Sequence, residues 1–373
     1  MAEATRRFEV MTLLGKGGMG AVYKAKLIDL RGFSRIVALK VLHDDLARID
    51  DMTRRLRDEA RLLAVLRHRV IVQVEELVRL HGHWVIVMEY VEGPDLERAI
   101  RKFGGLPPTI ALEILGDVAS ALDNAWHHPG PDGVPLHLIH RDVKPANIHV
   151  TPLGETKLLD FGIARADLRT REALTEDRTF GSLAYMSPER LDLEDGPEGD
   201  VYALGATAYE LLTGQLLGKT SANEERHREH IAACVARLVE LQVSQPIIDL
   251  VTSTLHYDKA RRPTARAFER QCHQLLRGLP GTHLRDWTEQ HLTSAKWDAP
   301  DREPGRGQSD LSGTVLVEDH GSPRRVRGRS LAPESAHQAE KRTETAMWAV
   351  GIGLLVLTIA LLGFTSWLVL SER

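Results

Sequence analysis

From Phe8 to about Arg277, apolar segments with strand or helix periodicity alternate with Gly and Pro punctuation, the pattern of one folded domain over 8–277. In "LLGKGGMGAVYKAKL" the stretch Ala21 to Leu27 alternates and carries Val22 and Tyr23, so the segment reads as strand, glycine turn, strand. "RIVALKVL" predicts another apolar strand, with Lys40 flanked by Val37, Leu39 and Val41. "MTRRLRDEARLLAVLRH" predicts a helix with Leu56, Leu62, Leu63 and Leu66 on its apolar face and Glu59 beside that face. Leu284, Trp287 and Leu292 predict a short amphipathic helical extension over 278–295.

From 296 to 345 the chain turns to Arg, Pro, Gly, Ser and acids, with one apolar island at Thr314 to Val317. Such a stretch buries too little to offset its ordering entropy and predicts a flexible juxtamembrane linker. The run 346–370 carries no charge. As a helix it reaches roughly 37 Å, enough for a ~30 Å hydrocarbon core, and it predicts a transmembrane helix. Trp348 and Trp367 fall near its ends, where indoles favour the interface. Arg327, Arg329, Lys341 and Arg342 precede the run and only Arg373 follows it. That bias predicts everything upstream in the cytoplasm and 371–373 as an extracytoplasmic tail, a single-pass protein of the cell (inner) membrane.

Composition narrows the chemistry. A net charge of -4 over 373 residues gives no basic field, so nucleic acid is not an expected partner. Cys234 and Cys272 are too few for a disulfide framework or a four-cysteine zinc site and are expected in the interior. "MAEATRRFEV" has no apolar core or cleavage site of a secretory signal.

Gly15, Gly17 and Gly20 have GxGxxG spacing, but a dinucleotide fingerprint would open a helix after them, and the GK[ST] of a Walker A loop is absent. A glycine hairpin remains, either an ordinary tight turn or one whose backbone N–H groups approach phosphate oxygens. Lys40 alone reads as an outward-facing charge; an ion pair with Glu59 would hold its ammonium for α- and β-phosphates. "LIHRDVKPANIHV" fits HRDxKPxxN with His140, Arg141, Asp142, Lys144, Pro145 and Asn147, and "KLLDFGIAR" supplies Asp160, Phe161 and Gly162 from thirteen residues beyond Asn147. Two acids and an amide at this spacing suit phosphoryl transfer: one carboxylate accepts the proton of an attacking hydroxyl, while the other acid and the amide hold a divalent ion against triphosphate oxygens.

With "GGMGAVYKA", "HRDVKPANI", "DFGIAR" and "YMSPER" in order, the sequence resembles the eukaryotic-type (Hanks-type) serine/threonine protein kinases, and most closely their bacterial branch. The resemblance implies an α+β, two-lobed protein kinase fold, a small β-rich N-lobe over a larger α-helical C-lobe. It also implies ATP in the cleft with Mg2+ (or Mn2+), and transfer to cytoplasmic protein substrates with autophosphorylation. ATP would be covered by Leu14, Gly15, Lys16, Gly17, Gly18, Met19, Gly20, Val22 and Ala38, with Met88 guarding the back of the adenine pocket and Glu89 and Val91 supplying its backbone bonds. Lys40 resembles the phosphate-binding lysine, Glu59 its helix partner, Asp142 the catalytic base and Lys144 the lysine beside the transferred phosphate. Asn147 and Asp160 resemble the metal ligands. Glu189 and Arg262 would pair, Asp200 would brace the catalytic loop, and Arg141 would receive a phosphate on Thr175, Thr179 or Thr170, in that order. His140 has a metal-site reading that the motif disfavours, since its histidine packs in the core.

Two departures stand out. The Pro- and Gly-rich segment 127–138 predicts a surface hairpin or loop, and 215–243 aligns poorly, which puts substrate docking in doubt. Ser182 stands where relatives carry Thr and keeps the hydroxyl expected to bridge Asp142 and Lys144. The alternative of a pseudokinase scaffold at the membrane is opposed by the intact Lys40, Asp142, Asn147 and Asp160, and a small-molecule kinase by Lys144 and the complete activation segment. The span would restrict the enzyme to the membrane surface or pair it as a homodimer or with a sensing partner.

Overall fold

A computed structural model describes residues 6–17, 20–29, 31–42, 62–130, 132–161, 183–292 and 314–316. Glu59, Gly18, Met19, Gly162, Thr170, Thr175, Thr179 and Ser182 lie outside them, as do 346–370 and the 371–373 tail.

The first lobe is an antiparallel sheet. β1 (Arg7–Gly17) and β2 (Gly20–Ile28) form the glycine hairpin, followed by β3 (Ser34–Leu42), β4 (Val74–Leu80) and β5 (His83–Glu89). Alternation along β2 buries Ala21, Tyr23, Ala25 and Leu27 in a core with Phe8, Leu39, Leu80, Val85 and Val87. Gly20 has φ +146°, and a Cβ there would sit 1.8 Å from the Val41 carbonyl oxygen. The close approach of β3 is therefore what requires this glycine.

The second lobe is mainly helical. α1 (Leu96–Phe103) is capped by the Asp95 carboxylate, which accepts from the Arg98 N–H, and α2 (Pro108–His127) runs through the core. The short strands β6 (Ile148–Val150) and β7 (Thr156–Leu158) pair beneath the cleft. α3 (Pro188–Leu191) leads into α4 (Pro197–Thr213), every residue of which from Gly199 to Leu212 is buried, as befits a helix apolar all round. α2, α5 (Glu224–Glu240) and α6 (Gln245–Thr254) pack against it, and α7 (Ala265–Leu276) packs on α2. Cys234 and Cys272 are free and buried, and burial pushes the Cys272 thiol up to about 12, which leaves it inert at neutral pH. α8 (Leu284–His291) buries Leu284 and sets Trp287 edge-on to Phe103 at 5.4 Å.

The segment 127–138 closes as a small hairpin: the Gly130 N–H donates to the Val134 carbonyl and the Leu136 N–H to the His128 carbonyl. Within 296–345, Thr314–Leu316 forms a further strand, β8, antiparallel to β1 with Thr314 opposite Glu9, so the sheet order is β4-β5-β3-β2-β1-β8. Coil thus gives way at the apolar island, where an unpaired edge of β1 offers backbone partners. Among the described residues no helix is long and apolar enough to cross a membrane.

One buried ion pair locks α3 to the loop before α7. Arg262 donates to both Glu189 oxygens at 2.7 and 2.8 Å, its side chain has no exposed surface, and its remaining N–H groups reach the carbonyls of His256, Glu198 and Tyr257. Glu189→Gln leaves this guanidinium uncompensated, so urea unfolding is expected to register a loss of about 3–5 kcal/mol.

Candidate active site

The cleft between the lobes is lined at one end by a small apolar cluster: Ala38, Val72 and Met88 buried, with Val22, Val91 and Leu159 packed against them. β2, β3, the end of β5 and the segment after β7 each contribute one wall. Val22, Ala38, Met88 and Val91 are thus brought together as the sequence motifs imply. Val72 and Leu159 were missed, because nothing in their local sequence separates a pocket wall from ordinary core. Behind Met88 a small cavity is lined by Lys40, Leu63, Ile86, Asp160 and Phe161.

Leu14, Gly15, Lys16 and Gly17 end β1, and Gly17 stands opposite Gly20 at the start of β2, the strand that carries Val22 into the cluster. Glu89 turns its side chain away from the cluster to a 2.6 Å ion pair with Lys157 on β7, tying the interlobe segment to the second lobe.

Lys40 is placed by β3 with its side chain 9% exposed, and its Nζ lies 2.6 Å from Asp160 Oδ1. This contact links the lobes and joins two groups that the motifs place 120 residues apart. Glu59, the partner expected from the sequence, lies outside the described residues. Burial would raise the Asp160 carboxyl, but the Lys40 ammonium and its hydrogen bond outweigh it, with smaller help from Lys144, and hold it below the usual carboxylate range.

The catalytic loop is compact. Lys144 Nζ is 3.0 Å from Asp142 Oδ2, and Asn147 Nδ2 donates to that oxygen at 3.0 Å and to the Asp142 carbonyl at 2.7 Å. With its NH2 spent on Asp142, Asn147 presents its amide oxygen as the remaining acceptor. The Leu159 N–H donates to the Asn147 carbonyl at 2.8 Å, which brings Asn147 beside Asp160. An amide oxygen and a carboxylate fit magnesium, which takes few protein ligands and completes its shell from phosphates and water. Among the described residues no group of three or more His, Cys, Asp or Glu is placed to hold a metal ion.

His140 is fully buried, its Nε2 is 2.9 Å from the Leu159 carbonyl, its Nδ1 accepts from the Asp142 N–H at 3.3 Å, and its ring packs on Phe161 at 4.6 Å. Burial lowers its pKa, so the imidazole is neutral and serves as a brace. Asp200, 3% exposed in the first turn of α4, accepts from the His140 N–H at 2.6 Å and the Arg141 N–H at 2.8 Å. Arg141 and Asp160 both take left-handed backbone, with φ +67° and +57°. Non-glycine residues persist there only where their surroundings fix them.

A family model described as the protein kinase domain matches residues 8–275. The tyrosine-protein kinase MasK of Myxococcus xanthus is 38% identical over 208 residues, 54% of this chain and 32% of that protein. The serine/threonine-protein kinase PknB of Mycobacterium leprae is 40% identical over 215 residues, 56% of this chain and 33% of PknB. The chain thus matches about a third of the length of these curated relatives. The crystal structure of the Mycobacterium tuberculosis PknI kinase domain, 29% identical, superposes with a TM-score of 0.53 and covers 74% of this chain and 98% of its own.

The Lys40 pair contributes fully above the ordinary carboxylate pKa and is lost as pH falls through the lowered Asp160 value. Lys40→Met removes the opposing charge while burial remains, so a carboxyl-carbon NMR titration is expected to show the Asp160 pKa rising above the usual range.

Proposed function

The chain belongs to the protein kinase family, and from that premise we propose that it is an active, membrane-anchored serine/threonine protein kinase that transfers the γ-phosphoryl group of Mg-ATP to cytoplasmic proteins and to itself. The observation that carries the reading is the convergence of Lys40, Asp142, Lys144, Asn147 and Asp160 on one cleft, each already held by a partner.

The apolar cluster around Ala38 and Met88 takes the adenine, and Lys40 meets the inner phosphates. Asn147 and Asp160 hold magnesium, which, when bound, neutralises charge building up on the phosphate oxygens. Asp142 orients the substrate hydroxyl and accepts its proton as the oxygen bonds to phosphorus and the bond to ADP breaks. Lys144, tethered to Asp142, stabilises the equatorial oxygens of the transferred group. Similarity to PknB and the hydroxyl kept at Ser182 support Ser and Thr as acceptors. The uncharged run 346–370, with cationic residues before it, supports a single inner-membrane span with the catalytic domain in the cytoplasm. On the membrane surface two copies meet at raised effective concentration, which favours autophosphorylation in a homodimer.

Incubation of membranes containing the full chain with γ-labelled ATP, magnesium and a protein acceptor is expected to yield labelled phosphoserine or phosphothreonine. A chain ending at Thr345 should do the same from the soluble fraction. Incorporation no greater than in Asp142→Asn would overturn the enzyme reading, phosphotyrosine alone its acceptor specificity, and a soluble full-length chain its anchoring.

A further inference from the structure

Arg141 is engaged on two sides. Its backbone N–H is bonded to Asp200, and its Nε donates to Asp195 Oδ2 at 2.5 Å. Asp195 lies between α3 and α4, outside every motif that marks the site, with a side chain 13% exposed. Its other oxygen accepts from Arg190 Nε at 3.1 Å and from the Gly196 N–H at 3.1 Å, and Arg190 Nη2 reaches Asp200 Oδ1 at 2.8 Å. Two arginines and two aspartates thus close a ring, Arg141 to Asp195 to Arg190 to Asp200 and back to the Arg141 backbone.

The ring is a built feature. Arg190 has a side chain only 8% exposed, and its guanidinium lies so close to α4 that a Cβ on Gly199 would fall 2.5 Å from its Nε and 2.6 Å from its Cζ. Burial alone would lower the Arg190 pKa, but the Asp200 and Asp195 carboxylates raise it, so the pairing stays ionic throughout. Among the described residues the ring sets two cations against two anions, and the half-buried cation of Arg141 has a counter-ion without any phosphate. Arg141 immediately precedes Asp142 and sits in left-handed backbone, a conformation that needs to be held from outside.

We propose that Asp195, oriented by Arg190, is a permanent anionic anchor for Arg141 and a positioning residue for Asp142, so that this chain transfers phosphate with an unphosphorylated activation segment. The proposal rests on the kinase reading above. It recasts the expectation that Arg141 waits for a phosphothreonine: the anion is already present, supplied by a carboxylate on a neighbouring element.

The test uses the full chain carrying Thr170→Ala, Thr175→Ala and Thr179→Ala, treated with phosphatase and confirmed by mass spectrometry to carry no phosphate between residues 162 and 182. Its kcat on a protein acceptor is expected within about threefold of the phosphorylated parent, and adding Asp195→Asn should lower kcat at least about tenfold with KM for ATP unchanged. Asp195→Glu, which restores the charge, should recover much of the loss. Unchanged Mg-ATP affinity in Asp195→Asn separates mispositioning from misfolding; a parallel loss of affinity would reduce Asp195 to a structural role and overturn the proposal. So would a threonine-free chain that is inactive beside an active parent, or Asp195→Asn acting at the full rate. A parent that transfers no phosphate sinks the kinase reading itself and this one with it.

Discussion

A single buried carboxylate organises the second lobe. Asp200 sits in the first turn of α4, the most deeply buried helix among the described residues, and spends its oxygens on the backbone N–H groups of His140 and Arg141 and on the Arg190 guanidinium. A carboxylate taken out of water without partners costs several kcal/mol, so α4 is stable in its place only when the catalytic loop supplies its amides. Packing of the core and construction of the active site are therefore one event. The left-handed Arg141, the buried neutral His140 and the orientation of Asp142 all follow from it.

The cleft is completed by contacts that cross between the lobes. Lys40 on β3 meets Asp160 from the segment after β7, and Glu89 meets Lys157, so each lobe carries half of two ion pairs. Phe161 packs on His140 and belongs to the second lobe's core, which fixes the residue next to Asp160 and aims its carboxylate at the cleft. The polar chemistry is thus suspended between two apolar masses, and the charge on Lys40 keeps Asp160 ionised against the burial that would neutralise it.

How much of this was legible in the sequence depended on whether a residue's type is dictated by chemistry or by a distant partner. Asp142, Asn147 and Asp160 were readable because phosphoryl transfer demands two acids and an amide at such spacing, whereas the role of Lys144 came from the family resemblance. The pairing of Glu189 with Arg262 and the bracing by Asp200 came from the family resemblance and are present as bonds. The alternation of β2 and the amphipathic stripe of α8 announced themselves through periodicity. By contrast, Val72 and Leu159 look like any core residue, and Asp195 and Arg190 like solvated charges, until the fold brings α3 and α4 against the loop. Gly199 beside Asp200 was the one local sign that something packs closely there. The β8 strand was hidden because three residues of edge pairing leave almost no mark in a polar segment.

The most direct test of the claim that Asp200 shapes the catalytic loop is single-turnover phosphoryl transfer by Asp200→Asn. The variant keeps the shape of the side chain but removes its charge and turns an NH2 toward a backbone N–H. The transfer rate is expected to fall at least about a hundredfold while Mg-ATP affinity stays within about threefold of the parent. Transfer at the parent rate would contradict the account, since the loop would then hold its geometry without the carboxylate on which everything else here depends.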